Sequence, residues 1–262
     1  MNLNLQHKNA LVCGSTQGIG KATAQQLAAL GANVTLTARN EEKLKNVLSE
    51  LDTSKGQTHG YIVADFQDPD GLRKKIVAFI AEHHTFHILI NNTGGPAGGP
   101  VFNAKLDEFE RAFTQHLKCN HVLVQSVVAG MKDAGYGRII NVISTSVKQP
   151  LDGLGVSNTI RGAVANWSKT LSNELGQFGI TVNNVLPGAT ATERLTEIIK
   201  NKAAKTGKTE DEVSTAMKNA VPAKRFAKPQ EIANAIAFLA SEAASYINGI
   251  NVPVDGGRTK SL

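Results

Sequence analysis

The stretch from Leu11 to Gly20 constrains this chain more than any other. Residues 10–13 read as a short buried strand, glycines follow at Gly14, Gly18 and Gly20, and residues 21–30 read as a helix. A strand, a glycine turn and a helix together make a seat for a nucleotide phosphate. The turn excludes side chains so that backbone can approach a pyrophosphate, and the helix offers unpaired N–H groups and its positive dipole end to the anion. Glycines so spaced also occur in ordinary strand-to-helix turns. Position separates the two cases, because this motif opens a series of strand–helix units.

Residues 33–37 alternate around Val34 and Leu36 as a second strand, and 41–51 form a charged amphipathic helix. A third strand, 61–64, ends at Asp65. Residues 70–83 read as a helix with Leu72, Ile76, Val77 and Ile80 on one face. A fourth strand, 88–90, stops at the polar, glycine-rich run 91–96, and a long helical stretch covers 106–132. Residues 138–143 form a fifth strand. A long helix over 157–178 carries Ile160, Val164, Trp167, Leu171 and Leu175 as one stripe. A sixth strand, 181–186, breaks at Pro187 and Gly188; residues 229–240 are helical and 250–254 form the last strand. Strands alternating with helices predict an α/β fold, a Rossmann-type doubly wound parallel sheet of about seven strands with helices on both faces.

The 262 residues suit one such domain spanning 1–262, with no linker or repeat. The irregular part is the insert 190–225, which reads either as a solvated helical excursion or as a lid over the substrate. Ligands in parallel α/β sheets bind beyond the carboxyl ends of the strands, which favours the lid. No apolar run is long enough to span a bilayer, and residues 1–9 have no apolar signal core, so a cytoplasmic location without membrane contact is expected. Cys13 and Cys119 read as reduced, buried thiols. A net charge of +6 without aromatic-basic motifs argues against nucleic acid. It fits an anionic cofactor or substrate, or a solvated basic surface. The histidines show no metal-binding spacing.

The end of the second strand bears on cofactor choice. An acidic residue there binds a ribose diol, whereas arginine accommodates a 2′-phosphate. Here Ala38 offers no carboxylate and Arg39 follows it, which favours NADP over NAD through a charge-assisted, bidentate contact.

These motifs, in order, resemble the short-chain dehydrogenase/reductase family, and most of all its bacterial 3-oxoacyl-(acyl-carrier-protein) reductases. The matching features begin with Gly14, Gly18 and Gly20, Asp65, and Asn91, Asn92 and Gly94. They continue with Gly137 and Arg138 ahead of Ser144, Asn183, Pro187 and Gly188 with Thr192, Pro222 and Arg225, Pro229 and Glu231, and Asp255, Gly256 and Gly257. The resemblance implies a single Rossmann domain, NAD(P)-linked carbonyl–alcohol chemistry on a small-molecule carbonyl or acyl-thioester substrate, and a homotetramer. It assigns cofactor contacts to Gly14, Ser15, Gln17, Gly18 and Ile19 in the first turn, with Arg39 and Asp65 at the next two strand ends. Asn91, Gly94, Arg161, Pro187 and Gly188 complete that set.

The catalytic positions depart from the family pattern of serine, tyrosine and lysine with a helical asparagine. Ser144 matches the serine. In that register the tyrosine position is Ser157, the lysine position Arg161 and the asparagine position His116. An aliphatic hydroxyl is a far weaker acid than a phenol, and arginine does not exchange protons at neutral pH. Losing a general acid removes about 10²–10⁴-fold of a total acceleration that commonly exceeds ~10⁶-fold. Catalysis by positioning therefore survives on paper, with the proton from elsewhere. His116, if it faces the site, and Lys148 are candidate donors; helix packing and an exposed loop are their ordinary alternatives. The expected activity is NADP-dependent carbonyl reduction; the alternative is an NADP(H)-binding sensor or partner subunit without turnover.

Overall fold

The computed structural model describes residues 1–261. Seven parallel strands form one sheet in the order β3-β2-β1-β4-β5-β6-β7. They are β1 (Asn9–Cys13), β2 (Asn33–Ala38), β3 (Gly60–Val63), β4 (Ile88–Asn91), β5 (Gly137–Val142), β6 (Ile180–Pro187) and β7 (Asn251–Val254). The order reverses direction at β1, so the crevice between β1 and β4 lies at the switch point where such sheets bind ligands.

Alternation along each strand sorts the core into two layers. Val12, Leu36, Ile90 and Val142 face a cluster with helices α1 (Gly18–Ala29), α2 (Glu41–Leu48) and α9 (Pro229–Ala240). Leu11, Leu89, Ile139 and Val182 face the opposite cluster, with α3 (Pro69–Glu82), α5 (Cys119–Asp133) and α6 (Gly155–Leu175). Within α3 only Leu72 and Ile76 are buried. Val77, expected on that face, is exposed, because the residue after Ile76 is turned ~100° around the helix.

The stretch expected as one helix over 106–132 is α4 (Leu106–Phe113) joined to α5 through a π-helical turn, Thr114–Lys118. The insert is likewise more regular than expected. It contains α7 (Glu193–Thr206), capped by the Thr192 hydroxyl, and α8 (Glu210–Asn219), opened by a Thr209–Glu212 capping box.

The strand register also aligns four asparagines. Asn91, Asn141, Asn184 and Asn251 sit side by side across β4, β5, β6 and β7. Asn91 Nδ2 donates to Asn141 Oδ1 at 2.8 Å, Asn141 Nδ2 to Asn184 Oδ1 at 2.9 Å, and Asn184 Nδ2 to Asn251 Oδ1 at 2.8 Å. This amide ladder floors the sheet just below the loops that carry the site.

Candidate active site

The glycine turn is built by close packing. A Cβ on Gly20 would lie 2.1 Å from the Gly14 carbonyl oxygen, and one on Gly14 would lie 2.5 Å from the Asn92 carbonyl oxygen. Gly14 and Gly18 also have positive φ, a conformation that glycine adopts without strain. Asn92 Nδ2 donates to the carbonyls of Cys13 and Gly14, fastening the loop after β4 to the turn after β1. Gln17, the residue before α1, makes no side-chain cap. Among the described residues the first amides of α1 therefore have no side-chain acceptor, as an anion-binding helix start requires.

The expected cofactor residues divide by environment. Ser15 is fully buried, and its hydroxyl receives the Thr37 N–H at 3.0 Å, so its side chain joins the turn to β2. Arg39 is exposed just past β2 and has no ion pair among the described residues. The Asp65 carboxylate receives the Gln67 N–H at 3.0 Å. Asn91 is buried in the amide ladder, and its Oδ1 has no partner. Gly94 has open space where a Cβ would stand. Gly188 donates its N–H to Val254, and a Cβ there would meet the Asp255 backbone at 2.7 Å. Pro187 ends β6 directly before it.

Ser144 follows β5 and caps a short 3₁₀ turn by accepting the Ser146 N–H at 3.1 Å. Its own hydroxyl proton remains available to a ligand. Ser157 and Arg161 lie four residues apart on α6, hence on one helix face. Ser157 is half-buried, and its hydroxyl makes no hydrogen bond among the described residues. Arg161 is only 8% exposed. Its Nη1 donates to the Val142 carbonyl at 2.8 Å, which pins the guanidinium to the end of β5, two residues before Ser144. Burial lowers its pKa to about 10.

His116 sits in the π turn, 2% exposed. Its Nδ1 is 2.7 Å from Thr93 Oγ1 and its Nε2 has no partner. Burial, reinforced by the positive charge of Arg161, holds its pKa well below the ordinary histidine value, so the ring is neutral at physiological pH. His116 therefore does not supply a titrating acid in the neutral range.

Sequence reasoning passed over two groups near these residues, Thr93 and Arg194, and named Thr192 only as part of the family resemblance. Thr93 partners His116. Thr192 faces the glycine turn, its Cγ2 lying 3.1 Å from where a Cβ of Gly18 would stand. Arg194, on α7, donates from Nη2 to the Pro96 carbonyl at 2.8 Å, tying the insert to the loop after β4. The loop 94–100 is also tied to the start of α6, through Gly99 N–H to Gly153 and Gly155 N–H to Gly99. A threonine beside the asparagine pair and a capping threonine opening the insert were the available signals. No group of three or more metal-ligating side chains assembles among the described residues. No helix among them is long and apolar enough to cross a membrane.

A family model described as enoyl-(acyl carrier protein) reductase matches residues 14–259. The 3-oxoacyl-[acyl-carrier-protein] reductase FabG of Vibrio cholerae serotype O1 is 34% identical over 258 residues, covering 97% of this chain and 98% of the relative. The NADPH-dependent reductase BacG of Bacillus subtilis is 29% identical, covering 98% of this chain and 100% of the relative. Among solved structures, L-sorbose reductase from Gluconobacter frateurii, complexed with NADPH and L-sorbose, aligns with a TM-score of 0.93 at 29% identity over 100% of both chains.

Proposed function

We propose, from the premise that this chain belongs to the short-chain dehydrogenase/reductase family, that it is an NADP(H)-dependent reductase of a carbonyl group. The observation that carries the reading is the placement of the open start of α1 after β1, of exposed Arg39 after β2 and of Ser144 after β5, all at the carboxyl ends of strands in one parallel sheet, with Arg161 bonded to the last residue of β5. NADPH-dependent relatives and NADP(H)-bound neighbours support the cofactor. The uncapped first turn of α1 suits the pyrophosphate, and Arg39 suits the 2′-phosphate. When bound, the reduced cofactor supplies a hydride.

The chain's own residues then have distinct tasks. Ser144 donates its hydroxyl to the substrate oxygen and orients the carbonyl. Ser157 adds a second hydroxyl from the acid position. Arg161 holds the nicotinamide ribose and places a fixed positive charge where an alkoxide develops, a stabilisation that grows in a water-poor site. The segment 190–225 serves as the lid, with Arg194 as its tie to the opposite loop. Phe102, in the 3₁₀ turn before α4, and Leu106, the first residue of α4, are 83% and 80% exposed, which supports assembly into the expected homotetramer; light scattering tests that state.

The test is oxidation of NADPH and NADH with a panel of ketones and 3-oxoacyl thioesters, the latter chosen because of the FabG relative. NADPH is expected to bind more tightly than NADH, and Arg39→Ala to remove most of that preference. Equal affinities in the wild type would overturn the NADP assignment. Stoichiometric binding without turnover of any carbonyl would instead favour the sensor reading.

A further inference from the structure

Arg161 presents an unusual electrostatic situation. It is more than nine-tenths buried, yet it forms no ion pair among the described residues. Its one side-chain hydrogen bond among the described residues is to the Val142 carbonyl. No carboxylate among the described residues pairs with it, burial lowers its pKa, and its neighbour His116 is neutral. Buried charges are ordinarily paired, because desolvating an unpaired guanidinium is costly. A guanidinium carries five N–H donors in a planar fork, and one is engaged here. The nicotinamide ribose can accept from one or two of the other donors but brings no negative charge, which leaves the remaining fork donors and the charge itself for the substrate.

The surroundings indicate which ligand completes the pairing. Ser157, four residues earlier on the same face, has an unengaged hydroxyl. Ser144 lies two residues beyond Val142, the carbonyl that fixes the guanidinium. Chain connectivity thus sets both hydroxyls next to a planar anion on the Arg161 fork, Ser144 two residues beyond the carbonyl that holds the fork and Ser157 one helical turn before Arg161. Resting on the reductase reading, we propose that the substrate carries a carboxylate next to its reducible carbonyl, as in a 2-oxo acid, and that Arg161 is the residue that binds this carboxylate. Fork-to-carboxylate pairing is bidentate and charge-assisted, and it relieves the uncompensated burial of the cation. A neutral ketone or thioester offers nothing equivalent.

Two arms test this on the full-length protein. In the first, NADPH oxidation is measured with 2-oxohexanoate, with 2-hexanone, which replaces the carboxylate by a methyl group, and with an acetoacetyl thioester. The 2-oxo acid is expected to show a kcat/KM at least about 30-fold above either neutral substrate, the size of a desolvated charge-assisted contact. In the second, oxamate, a non-reducible 2-oxo acid mimic, and its neutral counterpart oxamide are titrated calorimetrically into the protein loaded with NADP. Oxamate is expected to bind at least about ten-fold more tightly than oxamide, and Arg161→Met to abolish the difference. Should Arg161→Met not fold, Arg161→Lys, which keeps the charge but not the fork, is expected to reduce it. Comparable turnover of 2-hexanone, or equal binding of oxamate and oxamide by wild type, would overturn the proposal. If no substrate is reduced but oxamate binds through Arg161, the reductase reading fails while the carboxylate site stands.

Discussion

Removing the middle of the asparagine ladder should weaken the whole floor of the site. Asn141 is fully buried, accepts from Asn91 Nδ2, and donates to Asn184 Oδ1 and Ser168 Oγ. Asn141→Ala leaves the Asn91 amide donor and the Asn184 acceptor buried without partners, while the Ser168 hydroxyl can rotate. Each buried group so orphaned costs about 1–3 kcal/mol, giving a loss of about 4 kcal/mol for the two. For a domain of this size that corresponds to a Tm lower by about 8–16 °C. Asn251, at the far end of the ladder, is only half-buried and takes part in one such bond, so water can replace it. Asn251→Ala should therefore cost no more than about 1 kcal/mol. Urea unfolding followed by circular dichroism measures both, as a shift of midpoint at unchanged slope. Equal losses at the two positions, or a loss below about 1 kcal/mol at position 141, would refute a ladder that acts as a connected network.

Arg194→Ala should speed hydrogen exchange in α7 without changing exchange in the central strands, because it cuts the tie to Pro96. In wild type, cofactor plus substrate should slow exchange across 190–225; protection there equal to that of the central strands in the free protein would count against a lid. His87 accepts the Asn9 N–H through Nδ1, and burial, followed by repulsion from Lys8, lowers its pKa. Its stabilisation is therefore complete above the unfolded histidine pKa of about 6.5 and is lost as pH falls through and below that value. The urea midpoint should drop between about pH 7 and pH 5, and His87→Gln should flatten that dependence. Replacing Ser157 by Tyr together with Arg161 by Lys should raise turnover of neutral ketones above wild type, with either single change doing less. A folded, cofactor-binding double variant no faster than wild type would show that Ser157 does not occupy the acid position.

The sheet was legible because hydrophobic alternation and glycine punctuation carry it. Every expected strand is present, with ends shifted by a residue or so where a boundary depends on pairing. Asn91 joins β4, for example, because it pairs with Asn141. The start of α1 at Gly18 was hidden because glycines read as turn, yet they form the helix's own first turn. The π turn in the α4–α5 stretch was invisible for another reason. One extra residue per turn barely disturbs an apolar pattern, but it re-aims His116 towards Thr93. The Thr209–Glu212 box was readable, since a threonine three residues before a glutamate marks a helix start, and the surrounding lysine-rich composition masked it.

The candidate site could be proposed from the sequence as a set of positions, but not as an electrostatic state. Ser144, Ser157 and Arg161 follow from register along the chain. That Arg161 is buried without a carboxylate, and that His116 is neutral beside it, depends on strands and helices far apart in sequence. The consequence is chemical. A phenol lowered by a neighbouring ammonium is a group poised to change protonation near neutrality. Here the hydroxyls do not ionise, the imidazole is held neutral, and the guanidinium keeps its charge up to about pH 10. On the proposed reductase reading, such a site stabilises an oxyanion by fixed charge and hydrogen bonds, and leaves the proton to be delivered without a titrating side chain at the acid position. Fixed charge acts on a substrate's ground state as well as on its transition state. It therefore selects a substrate that is already anionic, whereas a titrating acid responds mainly to the charge that develops during reaction. The exchange of phenol and ammonium for hydroxyl and guanidinium is thus expected to narrow the range of carbonyls accepted, and a carboxylate beside the carbonyl is the feature that a buried, uncompensated arginine rewards.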